Sequence, residues 1–404
     1  VKNTYDVLVV GAGPAGSLSA KTAAKEGLSV LLIEKHRQIG VPVCCAEGIS
    51  RESLAKYIEP DPKFISQAVE GGRLFSPDGT EVVVRWPGVG YILDRKAFDT
   101  ELARRASQAG AEVRISTQAT GMGKTPGGWK VSLTAFPEDR AEGRPGEVEV
   151  RVVIGADGVE SLVGRWAGIP TEVRMSEVHS CMQYFVEDPS LGEDELVTFY
   201  VGRDLVPGGY AWSFPKGKGR ANVGLGLVPT MMKDKREKAG DYQKRFVERF
   251  YPRAGVLERT MGGVPANNAP QDLVADGVML VGDAGRLTDS LSGAGIAIAL
   301  ETGALAGEVA AKALRRGEPT KKGLCEYERR WRESPSAKDC SNHALVRKIF
   351  LKLSDPEMDR VAKLLNKILD GKDPSKVDPM DVARTVIQSD PGLLLLGRHL
   401  LAVN

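Results

Sequence analysis

The pattern of apolar and polar residues changes character several times along the chain. Residues 5–10 read Tyr-Asp-Val-Leu-Val-Val, a nearly continuous apolar run of the kind that forms a strand buried on both faces of a parallel sheet. Small and helix-forming residues over 17–26 predict a tightly packed helix, and 28–33 predicts a second buried strand that ends at Glu34. Helical spacing over 98–109 follows Leu93-Asp94-Arg95. Strands are predicted at 82–86, 91–93, 130–134 and 147–154, with a hairpin tip or loop over 140–146. From about Thr171 to Val264 the pattern is mainly β, with runs at 179–186, 195–201, 210–214 and 221–227 and one helix at 241–250. Another apolar strand, 277–281, precedes a small-residue helix over 297–313, and beyond Lys321 the chain reads as helical and charged.

This order predicts an α/β fold, α+β over the whole chain. Residues 1–170 form the first part of a nucleotide-binding domain, with a β-rich excursion near 70–95. Residues 171–264 form an inserted antiparallel sheet, 265–320 complete the nucleotide-binding domain, and 321–404 are a helical C-terminal section.

Composition narrows the function. A length of 404 residues suits about two or three domains. With 42% hydrophobic and 27% charged residues the chain is ordinary globular material. A net charge of +2, with basic residues only in short clusters such as Arg329-Arg330 and 233–238, predicts no nucleic-acid partner. No apolar run reaches the roughly 18–20 residues of a membrane span, and the longest late one, 393–396, has four. The chain enters its first strand without a basic-then-apolar leader, so a cytoplasmic protein is expected. Five cysteines without a C-x-x-C pair, and four scattered histidines, predict no metal site and no disulfide scaffold. The separation of Cys325 and Cys340 permits a bridge, but free thiols are the expectation in a reducing compartment.

The first chemistry lies between the first strand and helix, at Gly11-Ala12-Gly13-Pro14-Ala15-Gly16. Strand, G-x-G-x-x-G, helix, strand, acid is the order of a dinucleotide-binding unit. Gly11 permits the tight turn, Gly13 lets the backbone approach a pyrophosphate, and Gly16 lets the helix lie close on the strand. The helix start at Ala15 offers N–H groups to phosphate, and Glu34 is placed to accept from a ribose. The fingerprint does not choose between FAD and NAD.

Two later segments resemble a known family and make that choice. Gly282-Asp283-Ala284 and Gly293-Ala294-Gly295-Ile296 resemble the second flavin motif of the large FAD-dependent family that includes the aromatic hydroxylases. The resemblance implies FAD, with Asp283 on the ribityl chain and the N–H groups at Gly293, Gly295 and Ile296 facing pyrophosphate and flavin. It also implies that Arg95 lies near the FAD and that Gln118-Ala119 touches its adenine side. Val-Val-Ile-Gly-Ala-Asp-Gly at 152–158 resembles the element that closes this nucleotide fold, although Asp157-Gly158 also reads as a plain turn. The implied architecture is a Rossmann-like FAD-binding domain of the aromatic-hydroxylase type with an inserted substrate sheet.

Two further motifs are more specific. Pro42-Val43-Cys44-Cys45-Ala46-Glu47-Gly48 starts eight residues after Glu34. Tyr210-Ala211-Trp212-Ser213-Phe214-Pro215 is continued by Gly219 and Asn222-Val223-Gly224. Together they resemble the geranylgeranyl reductases, in particular the archaeal digeranylgeranylglycerophospholipid reductases, from Tyr5 to about Tyr327. The implied reaction is reduction of isolated double bonds in the geranylgeranyl chains of a glycerophospholipid by hydride from reduced FAD. The external electron donor stays open among ferredoxin, NADPH and a deazaflavin. Tyr210, Trp212 and Phe214 alternate, so they share one strand face; with Pro215 they form either a wall for an isoprenoid chain or plain core. Each buried methylene contributes roughly 0.8 kcal/mol, so apolar contact alone can hold such a chain.

By the same resemblance Cys45, Ala46 and Gly48 lie beside the flavin. Cys45 either donates a proton, packs on the ring, or is an inert buried residue. Cys44 replaces a residue that is often basic in the family, and Ala46 a frequent glycine. The basic and partly apolar stretch 321–352 is open to four roles: covering the cavity, binding a phosphate head group, lying on a membrane surface, or packing on the main body. Alternative functions are an FAD monooxygenase of an aromatic or apolar substrate, a quinone-linked electron-transfer flavoprotein, which lacks cysteine ligands for a cluster here, and a non-catalytic flavin or lipid carrier.

Overall fold

The first apolar run becomes β1 (Thr4–Val10), and the glycine turn leads into α1 (Pro14–Lys25) and β2 (Val30–Ile33). The computed structural model describes residues 3–136, 142–192, 194–266 and 270–389. Helix α1 starts earlier than its small-residue pattern suggests, because Pro14 at the first position presets φ and has no N–H to leave unpaired. An excursion follows: β3 (Gly48–Ser50), α2 (Arg51–Ala55), β4 (Ile65–Phe75) and β5 (Glu81–Leu93). The chain returns through α3 (Arg95–Gln108), β6 (Glu112–Arg114), β7 (Thr117–Thr125), β8 (Gly128–Ala135), β9 (Arg144–Gly155) and α4 (Leu162–Trp166). Then come β10 (Val178–Glu187), β11 (Val197–Tyr200), β12 (Tyr210–Gly217), β13 (Arg220–Leu227), α5 (Ala239–Phe250) and β14 (Gly255–Pro265). Two short strands, β15 (Val274–Ala275) and β16 (Val278–Leu280), precede α6 (Ile296–Arg315). The C-terminal section is helical as expected: α7 (Lys321–Glu333), α8 (Pro335–Phe350), α9 (Asp355–Leu369) and α10 (Pro379–Ser389). The apolar run 393–396 and the start of the expected 140–146 tip lie outside the described residues.

The strands form two sheets of eight. In the first, β1 lies between β2 and β9, parallel to both, with β16 and β6 further out and β7–β8 folded back antiparallel on β9. Val7 and Val9 belong to the core under α1 and α6, while Tyr5, Leu8 and Val10 belong to the core on the other face. Burial on both faces is why 5–10 reads as a continuous rather than an alternating apolar run.

The second sheet runs β14-β10-β13-β12-β11-β4-β5-β3 and is antiparallel except where β11 meets β4. It holds the strands expected between 171 and 264, but also takes in β3, β4 and β5 from the excursion. The two strands expected at 82–86 and 91–93 are one. Pairing with β4 shifts register between Val69 and Gly71, and the irregularity accommodates Pro87, which has no N–H for a ladder. On the far side α5 packs Tyr242, Phe246 and Val247 into a core with Val223 and Leu225, and Gln243 Nε2 donates to Val223 O at 2.8 Å. The five cysteines are free. No described helix is long and apolar enough to cross a membrane.

Candidate active site

Strands β1 and β2 end side by side, and Gly11 N–H donates to Ile33 O at 2.9 Å. Gly11 has φ of 103°, and a Cβ on Gly16 would lie 1.8 Å from Gly11 O, so neither position admits a side chain. Gly13 differs: a Cβ there would meet nothing within 4 Å, and the residue faces the cavity. Helices α1 and α6 both begin at this cavity, and no side chain caps either start. Their unpaired N–H groups and positive dipole ends suit a pyrophosphate and a ring carbonyl. Glu34 stands at the end of β2, accepting from Ala12 N–H at 2.9 Å and His36 N–H at 3.0 Å. Asp283 lines the cavity, and burial pushes its carboxyl up to about 6. No protein donor reaches that carboxyl among the described residues, which leaves it for the hydroxyls of a ligand. The residues present therefore fit a dinucleotide held over Gly13, with Asp283 as acceptor for its polyol.

The cavity measures about 860 Å³ and lies between the two sheets. Gly13, Ala15, Arg95 and Asp283 line it from the nucleotide side, together with Gly293, Gly295 and Ile296. Cys45 and Ala46 close it from the loop before β3, Gly48 from the first position of β3, and Tyr210, Trp212 and Phe214 form the facing wall on β12. Gly11, Gly16 and Glu34 shape the turn without lining the cavity. Ala119 sits on β7, buried in the core on the outer face of the first sheet, and Pro215 does not reach the wall.

The two specific motifs of the sequence meet here through hydrogen bonds that neither motif announces. Trp212 Nε1–H donates to Gln183 Oε1 at 3.1 Å, and Gln183 Nε2 donates to Cys45 O at 3.0 Å. Glu47, 4% exposed and at φ 75°, accepts on Oε2 from Lys216 Nζ at 2.6 Å and Asn222 Nδ2 at 2.5 Å. Its Oε1 accepts from Arg95 N–H at 2.8 Å. The Arg95 guanidinium grips Asp99 with two bonds of 2.7 Å. Burial opposes its charge, but Asp99 outweighs that and keeps it protonated. Glu47 N–H points at Cys45 Sγ at 3.2 Å. Burial pushes the Cys45 thiol up, with Arg95 pulling the other way, so the thiol keeps its proton at neutral pH. Glu47, Gln183 and Lys216 had no role in the sequence reading. The one legible signal was Glu47 itself, an acid set among small residues in a loop placed beside the flavin.

The C-terminal section supplies the last wall. On α8, Ser336, Asp339, Cys340 and His343 face the cavity, and no described residue of this helix is fully buried. Polar contacts hold it down. Ser336 Oγ donates to Glu301 Oε2 at 2.5 Å, His343 Nδ1 pairs with Asp289, and Arg347 Nη2 lies 3.3 Å from His179 Nε2. Of the roles open to this stretch, α7 takes that of packing on the main body, through Leu324, Tyr327 and Trp331, and α8 that of covering the cavity.

The geranylgeranyl reductase catalytic domain family matches residues 177–264, which carry β10 to β14, and the FAD-dependent oxidoreductase family matches 6–40. A digeranylgeranylglycerophospholipid reductase of Methanothrix thermoacetophila is 44% identical over 98% of this chain and 99% of its own. The chain belongs to the geranylgeranyl reductase family. A second such reductase, from Methanosarcina acetivorans, is 42% identical over 91% of this chain and 90% of its own. The crystal structure of a geranylgeranyl bacteriochlorophyll reductase-like protein from Thermoplasma acidophilum superposes with a TM-score of 0.88 at 31% identity, covering 99% of this chain and 100% of that one. The halogenase PltM shares the fold at 17% identity, with a TM-score of 0.69 over 99% of this chain and 96% of its own. This geranylgeranyl reductase is an FAD-dependent oxidoreductase, and the expectation of an aromatic-hydroxylase-type FAD fold with an added antiparallel sheet holds.

Proposed function

We propose that this reductase saturates the isolated double bonds of geranylgeranyl chains on an archaeal-type glycerophospholipid. The observation that carries the reading is the wall of Tyr210, Trp212 and Phe214 facing the cradle of Gly13, Asp283 and Gly293–Ile296 across one cavity. Reduced FAD supplies the hydride when bound. The chain's own residues do the rest. Gly13, Ala15 and the α6 start at Gly293, Gly295 and Ile296 hold phosphate and ring, while Asp283 and Glu34 accept from the polyol and the ribose. Arg95 belongs to the same cofactor site, whereas Ala119 packs in the core behind the first sheet. The aromatic wall, with Pro215 behind it, binds and straightens the isoprenoid chain and excludes water, which an unactivated alkene needs. Cys45, with Ala46 and Gly48, forms the ring-side surface of the loop, and its protonated thiol packs against the cofactor.

Electrons come from an external donor. A ferredoxin, NADPH and a deazaflavin each suit a chain whose one dinucleotide fingerprint is taken by FAD. A lipid substrate places the work at a membrane surface on the cytoplasmic side, met peripherally. Dithionite-reduced protein given digeranylgeranylglyceryl phosphate without oxygen is expected to raise the product mass in steps of two hydrogens. No gain, together with oxygen-dependent addition of one oxygen atom to another substrate, would favour a monooxygenase instead.

A further inference from the structure

Each double bond reduced consumes a hydride and a proton. The cavity lining holds the thiols Cys44, Cys45, Cys181 and Cys340, the phenols Tyr91 and Tyr210, and the His343 imidazole, each able to carry a proton. Burial pushes Cys181 and Cys340 to about 12 and Tyr210 higher still, and raises Cys44 and Cys45. Each thiol or phenol would leave an anion behind. The Tyr210 hydroxyl is also committed to Ser292 O. His343 alone would leave a neutral group.

His343 is held as an acid should be. Its Nδ1 faces Asp289 Oδ2, while Asp289 Oδ1 is fixed by Ser292 N–H at 2.7 Å, Ser292 Oγ at 2.8 Å and Leu291 N–H at 3.0 Å. Asp289 is buried, in the loop that leads to the α6 start, so a rigid carboxylate sets the ring's orientation and leaves Nε2 free of protein partners among the described residues. A carboxylate on one imidazole nitrogen and a reacting group on the other is the standard logic of a general acid. The His343 side chain is also 30% exposed, on the cavity's cover, so bulk water can return its proton.

We propose that His343, oriented by Asp289, is the group that delivers the proton of each double-bond reduction into the cavity. This inference rests on the reductase reading above. In each cycle the alkene π bond breaks, one carbon takes the hydride and its neighbour takes the proton from Nε2. The flavin loses two electrons, which the external donor restores. His343 becomes neutral imidazole and is reprotonated from solvent, and Asp289 remains a carboxylate throughout. The Asp289 hydrogen bond raises the imidazole above its usual range, and burial opposes it. The other charged or titratable neighbours are Asp339, Cys340 and Arg347 on α8 itself, Tyr210 on β12 near Asp289, Glu301 on α6 through Ser336, and His179 on β10, which burial and Arg347 hold neutral by pushing it down to about 4.

The test is single-turnover reduction of the lipid by pre-reduced wild type, His343→Gln and Asp289→Asn, with the His343 titration followed by NMR in each protein that keeps the histidine. Expected is a wild-type rate that falls at alkaline pH around the NMR value. His343→Gln should lose roughly a hundredfold or more in rate at full FAD content, and His343→Ala should regain rate with added imidazole. Asp289→Asn should shift the NMR titration and the rate profile down together. A His343→Gln protein that turns over at the wild-type rate overturns the proposal. So does a slow variant with an unchanged pH profile and no imidazole rescue, which would make the pair a latch for α8 only. Wild-type protein that leaves the lipid unreduced overturns the substrate reading itself, and this proposal with it.

Discussion

Lys216 Nζ stands 2.6 Å from Glu47 Oε2, joining the end of the aromatic strand to the loop that carries Cys45. Both side chains are nearly buried, at 11% and 5% exposure. Removing one partner of such a pair strands the other charge, at a cost of about 3–5 kcal/mol. Lys216→Met is expected to destabilise by that order in urea titrations. Adding Glu47→Gln should recover part of the loss, so that the double-mutant cycle shows strong coupling. Additive losses would mean that the pair does not anchor the loop.

The last two glycines of the fingerprint should fail differently. Gly16→Ala places a carbon 1.8 Å from Gly11 O, so the backbone must move and folding suffers. Gly13→Ala meets no protein atom within 4 Å, so the protein should melt as the wild type does yet lose its FAD. Flavin absorbance and a thermal melt on each variant separate the two outcomes.

Phe214 packs edge-on against Phe199, with ring centres 5.5 Å apart, at the cavity wall. Phe214→Ala withdraws roughly 2 kcal/mol of apolar contact from a bound chain. The lipid KM should rise about tenfold to a hundredfold while FAD content stays unchanged.

Acid should weaken the fold through His179. Burial, reinforced by Arg347, pushes it down to about 4, so the folded protein keeps it neutral. The unfolded chain takes up its proton near 6.5. Its contribution is therefore full above that value and is lost as pH falls toward 4, by up to roughly 3 kcal/mol. His343 works with the opposite sign. Its raised value gives stability that is present below the unfolded value and lost as pH rises through the folded one. Urea midpoints of wild type and His179→Gln between pH 7.5 and 4.5 should diverge only on the acid side.

Much of this was legible in the sequence because local chemistry dictated it. Gly11, Gly13 and Gly16 sit where the turn has no room or must leave some, and the two-residue period of Tyr210, Trp212 and Phe214 put them on one face of β12. What escaped was long-range. Gln183 and Cys45 are 138 residues apart, and Glu47 and Lys216 169, and no periodicity encodes a pairing between distant strands. The excursion was legible as β-rich near 70–95, but its start at β3 and its choice of sheet depend on the parallel seam of β11 with β4, which only the assembled fold reveals. The pairing of His343 with Asp289 escaped for the same reason, since α8 reaches it across the cavity.

That seam bears on engineering. A designer wishing to graft another substrate preference onto this scaffold would naturally cut at the ends of the segment 177–264 and swap it whole. The cut would leave β4 without its neighbour and Glu47 facing a foreign strand in place of Lys216 and Asn222. A transplantable cassette has to include 48–93 as well, two separate stretches of gene exchanged together.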